Sequence, residues 1–147
     1  MTEPLIDLVI RREEDRKYRA YGDPLTGGEP YTIGEGHTGG IKPDDVWDDA
    51  QIDAAKAADI MHATNGCLAH FPWFSALDPV RYAVVQSLAF QLGIPRLLGF
   101  VHFLGAMRDQ RWPQAAGELR NSLIDHQAHA RTERAARAIE TGETQWT

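Results

Sequence analysis

Apolar residues Leu5, Leu8 and Val9, with Ile6 and Ile10 beside them, recur at helical spacing behind Pro4 and give way to charge at Arg11. Proline suits the first turn of a helix, where its missing N–H costs nothing, so the spacing predicts a helix over residues 4–13. Between Tyr18 and Gly40 that period is lost. The short stretches YRAY and YTI stand among glycines and prolines and read as strands of a small antiparallel hairpin or three-stranded sheet. Helical signals resume at Asp48, which with Gln51 makes a capping box ahead of an alanine-rich segment, predicting one long helix over 49–70. Asp78-Pro79 forms a second cap. Residues 80–92 are apolar nearly all round, as in a helix buried within a bundle, and Gly93 ends it. Further helices are predicted at 95–107, 113–119 and 127–141, with Gly142 as the last stop.

Strands confined to the N-terminal part and helices through the rest make an α+β fold. A chain of 147 residues fits one domain, or two small lobes sharing a core. The longest nearly apolar run, 97–107, is broken by His102 and two glycines and falls short of the roughly 20 residues a span needs, so no stable membrane insertion is expected. Net charge is −6, and residues 1–60 hold 14 acids against 7 bases. That imbalance argues against nucleic acid as a partner, which would require a basic face. The single cysteine, Cys67, allows no internal disulfide and agrees with a reducing compartment. Acids occupy the N-terminal stretch where a secretory signal would carry bases, so the chain is expected to stay in the cytoplasm of the cell that makes it.

Residues 34–39, GEGHTG, satisfy G-x-G-x-x-G. A dinucleotide loop needs a buried strand before the first glycine and a helix opening at the last. Here EPYTI precedes and GGIKPDD follows, so the context fails and the glycines read as turn residues. His37 within the motif reads as structural, paired with Asp59 so as to tie the sheet to the long helix. His126 and His129, three residues apart, have only Asp125 beside them, too few ligands for a metal site, and no metal or organic cofactor is expected.

Glu14 closes the first helix and Asp23 opens the turn DPLTGG. A carboxyl where a helix meets a packed body and another in a hydrated turn are the kind of pair that glycoside hydrolysis uses, one as acid and one as base or nucleophile. With 21 acidic residues in the chain, any Glu and Asp can be paired and most are solvated charges, so spacing alone favours the solvated reading.

The longer run is more specific. E14-D-R-K-Y-R-A-Y-G-D23 followed by Y31-T-I-G-E-G-H37 resembles the N-terminal signature of the phage-type lysozymes, the endolysin muramidases of the T-even phage type (glycoside hydrolase family 24). F90-Q-L-G93, R111-W-P-Q-A-A116 and R131-T-E-R134 are similar to further segments of that family, in the same order. The resemblance implies a lysozyme-like α+β domain over 1–147, with a β-containing lobe at about 15–58 and a helical lobe at about 1–14 and 59–147, the lobes joined by the long helix. It implies Glu14 as general acid, Asp23 as the base that guides water, and Thr32 as a hydroxyl helping it. Glu13 competes for the acid role, but that register would put Gly22 in the second carboxylate position. Arg131 is the candidate cation near Glu14 and Gln91 a candidate substrate contact. Eight residues separate Asp23 from Thr32, a longer hairpin than the family pattern, with Thr26 as the other hydroxyl.

The implied activity is cleavage of the β-1,4 bond between N-acetylmuramic acid and N-acetylglucosamine in peptidoglycan, with inversion. The implied partner is the glycan strand, met by a monomer that stays in the host bacterial cytoplasm until a membrane pore, a holin, gives access to the wall, or that arrives with the virion. The rivals are a lytic transglycosylase and a non-catalytic peptidoglycan-binding virion protein. Because peptidoglycan is anionic, a locally basic cleft around Arg16, Lys17, Arg19 and the C-terminal arginines is expected to offset the acidic balance.

Overall fold

The structure, a computed structural model, describes residues 3–122 and 129–147. Helix α1 (Leu5–Glu13) buries Ile6, Val9 and Ile10. At Glu14 the backbone turns extended, and the chain enters β1 (Lys17–Tyr21), β2 (Thr32–Gly34) and β3 (His37–Thr38), an antiparallel sheet in that order. Thr32 pairs with Tyr21 on one side and Thr38 on the other, and the β1–β2 register is interrupted between Lys17 and Tyr21. An isolated bridge from Arg19 to Val46 extends the sheet edge. Ile33 is fully buried, and Gly34, with φ +68°, rests against the Ile52 side chain of the next helix.

Helix α2 (Asp49–His70) begins with the capping box, Asp48 accepting from the Gln51 N–H at 2.9 Å and Gln51 accepting from the Asp48 N–H at 2.9 Å. A turn of 3₁₀ helix, Phe74–Ala76, seats Phe74 in the core. Then α3 (Pro79–Leu92), capped by Asp78, runs through the middle of the helical body against α1, α2 and α7 (His129–Thr141). Val84, Val85 and Leu88 meet Phe103, Leu97, Leu119 and Ile139 in one core. No helix among the described residues is long and apolar enough to cross a membrane.

The α+β arrangement is as expected, with one helix divided. Residues 95–107 form α4 (Ile94–Leu98) and α5 (Val101–Arg108), broken at Gly99 and Phe100. Leu97 and Phe103 are both fully buried. Six residues apart on a continuous helix they would point in widely different directions, so the break lets both reach the core. Helix α6 (Trp112–Ser122) starts a residue earlier and ends later than the pattern predicts. The histidine reading at His126 and Asp125 lies outside the described residues.

Candidate active site

Two consecutive carboxylates at the end of α1 take opposite directions. Glu13 turns inward, its side chain 1% exposed. It accepts from Arg134 Nε at 2.6 Å and Nη2 at 3.1 Å, and from Trp146 Nε1 at 3.2 Å. Buried and saturated by fixed donors, it is a structural charge that ties α1 to α7 and the C-terminal residues. Glu14 keeps a solvent face, 21% exposed, while its Oε1 accepts from Arg131 Nη1 at 2.6 Å. Arg131 stands 3.7 Å from Glu13 as well, so one guanidinium spans both acids. The i, i+3 spacing of Arg131 and Arg134 on α7 puts them on one helix face, which is how two cations come to the two carboxylates.

The glycine-rich turn reaches the same point. Gly36 has φ +82°, and a Cβ placed there would lie 3.0 Å from Glu14 Cδ and 3.2 and 3.3 Å from its oxygens. Only a residue without a side chain allows the turn to approach the carboxyl so closely. Asp23, partly buried, accepts from the Leu25 N–H at 2.7 Å through Oδ1, an Asx turn that fixes the carboxylate's orientation. Its backbone is held by Gly27 and Gly28 at 2.7 and 2.8 Å. Thr32 lies across from Tyr21 in the β1–β2 pairing. Burial pushes the Tyr21 phenol pKa up, the nearby Glu14 charge adds to this, and the Thr32 hydroxyl works against it. Thr26 is exposed and accepts from the Gly28 N–H.

Beyond the turn, His37 Nδ1 is 2.6 Å from Asp59 Oδ2, and the ring lies 5.2 Å from Trp47. A cavity of about 140 Å³ opens between Gly36 and Thr38 on one side and Asp59, His62, Phe90 and Gly93 on the other. Gln91 lines a narrow crevice together with Glu13, Ser87, Arg131, Thr132 and Trp146. Arg131 and the Gly36 turn therefore meet at the Glu14 carboxyl.

The basic cleft takes a different form from the one expected. Lys17 and Arg19 are exposed, but Arg16 is held by Glu35, Asp49 and Asp53 at 2.8, 3.0 and 2.8 Å, and Arg131 and Arg134 are held by Glu13 and Glu14. Their charge is neutralised locally because acids distant in sequence fold onto them. Arg134 and Trp146, which hold Glu13, and Tyr21, which pairs with Thr32, are given no individual role by the sequence. For Tyr21 the pairing with Thr32 is the signal, legible once the hairpin register is known.

No family model matches the chain. It is similar to a protein of Dictyostelium discoideum named probable T4-type lysozyme 1, at 33% identity over 69 residues. The aligned stretch covers 47% of this chain and 41% of that relative, so less than half of the relative's length is spanned.

Proposed function

We propose that the protein is a peptidoglycan muramidase of the phage endolysin type. The observation that carries the reading is the split between the two acids: Glu13 is locked away, while Glu14 faces solvent with a guanidinium on one oxygen and the backbone of Gly36 beneath it. In this reading Glu14 protonates the bridging oxygen of the β-1,4 bond, and Arg131 stabilises the carboxylate left behind. Asp23, oriented by its Asx turn, guides water to the opposite face of the sugar, so the product inverts. Thr32 helps hold that water, and Gln91 contacts the glycan. The enzyme works as a monomer without a cofactor. It waits in the host cytoplasm for a membrane pore.

Digestion of purified peptidoglycan by wild type, Glu14→Gln and Asp23→Asn, with reducing and anhydro ends counted, tests the assignment. Each substitution should cost about 10²–10⁴-fold in rate, with reducing ends as the product. A Glu14→Gln variant as active as wild type would sink the assignment. Anhydro ends would move it to the transglycosylases.

A further inference from the structure

Glu35 stands in the turn between β2 and β3, in the run G34-E35-G36, and its carboxylate is withdrawn from water, the side chain being 3% exposed. Two cations close on it, Arg16 Nη1 at 2.8 Å and Lys56 Nζ at 3.4 Å. Neither cation serves Glu35 alone. Arg16 donates to Asp49 Oδ1 at 3.0 Å and Asp53 Oδ1 at 2.8 Å in the first turns of α2. Lys56, 10% exposed, reaches the Asp7 carbonyl of α1 at 3.2 Å. One buried carboxylate thereby joins the turn to α1, to the start of β1 and to α2.

Stability is a weak account of this arrangement: replacing buried ion pairs by well-packed apolar side chains is often neutral or stabilising, because desolvation offsets the attraction. What charge-assisted hydrogen bonds do supply is direction: apolar surfaces slide, whereas a carboxylate between two fixed donors has one place to be. That place matters here. Arg16 follows Glu14 by two residues, and Glu35 directly precedes Gly36, whose Cα faces the Glu14 carboxyl. The trio grips the chain on both sides of that contact.

We propose that Arg16, Glu35 and Lys56 are positioning residues: together they set the turn at the height where Gly36 backs the Glu14 carboxyl, and so aim that carboxyl at the bond to be cleaved. The catalytic consequence rests on the muramidase reading; the positional one does not.

The test compares the full-length wild type with Arg16→Met/Glu35→Leu/Lys56→Met, which replaces the whole trio by apolar groups. Two quantities are read: the response of the Gly36 Hα NMR shift to the titration of Glu14, identified by its absence in Glu14→Gln, and kcat and KM on purified peptidoglycan. The triple variant should melt at or above the wild-type temperature and lose the Gly36 response. Its kcat should fall by about 10²-fold, the scale of an ångström of misplacement, with KM little changed. Retention of either the Gly36 response or the wild-type kcat overturns the proposal. Should the triple variant not fold, Lys56→Met, which leaves the Arg16 to Glu35 bond in place, decides by the same readings, with a kcat loss on the order of threefold to tenfold. A wild type inert on peptidoglycan refutes the muramidase reading and leaves the Gly36 signal to decide the positional claim.

Discussion

Replacing Gly36 by alanine sets two costs against each other that a control separates. At φ +82° an L side chain is strained by roughly 1–2 kcal/mol, which for a domain of this size lowers Tm by about 2–8 °C. Gly40 has φ +70°, and a Cβ placed there would meet nothing within 4 Å, so Gly40→Ala carries the backbone strain alone. In Gly36→Ala the new methyl meets Glu14 Cδ at 3.0 Å and both oxygens within 3.3 Å. Either the carboxyl swings off its 2.6 Å bond to Arg131 or the turn lifts by several tenths of an ångström. On the muramidase reading, where a displacement of about 1 Å at reacting groups costs on the order of 10²-fold, the variant should lose about tenfold or more in initial rate of peptidoglycan clearing, beyond Gly40→Ala. Its Tm should also fall further than the control's. Equal rates and equal Tm for the two variants would refute the argument that Gly36 is a glycine for the sake of Glu14.

Burial pushes the Cys67 thiol up to about 12 from an ordinary 9.0; native protein should therefore be inert to a thiol-disulfide reagent at pH 8 and react once unfolded, and fast native labelling would contradict the buried placement. The sign of the linkage is fixed by the same shift: the neutral thiol's stabilisation is whole below the ordinary value and is lost as pH rises towards the folded one, so denaturant midpoints should decline on that alkaline side, and less so in Cys67→Ala. The hydrogen bond from Arg120 holds the Glu133 carboxyl below its ordinary value, which gives stability present above that value and lost as pH falls through the depressed one. With 40% of the Glu133 side chain exposed the effect is screened to about 0.2–1 kcal/mol, and Arg120→Ala should flatten that acid limb in a salt-dependent way; an unchanged limb would remove the pair from the account.

Local rules settle within a few residues, and those are what the sequence determined by itself. The capping box at Asp48 and Gln51, the Asp78-Pro79 cap, the stop at Gly93 and the strands around YRAY and YTI depend on backbone geometry and short-range hydrogen bonds, so they are legible before any packing is known. The spacing of Glu14, Asp23 and Thr32 is likewise a property of the chain. Tertiary structure decided which charges are free. Glu13 and Glu14 are adjacent and chemically alike, and only the arrival of Arg131, Arg134 and Trp146 from the far end of the chain buries one and leaves the other open. The basic run at Arg16 looks like a substrate-steering patch until Asp49, Asp53 and Glu35 fold onto it, and the break at Gly99 exists because Leu97 and Phe103 must reach the same core. Ion pairs and core contacts between residues distant in sequence carry no local periodicity, so their partners are fixed only when the whole chain has packed.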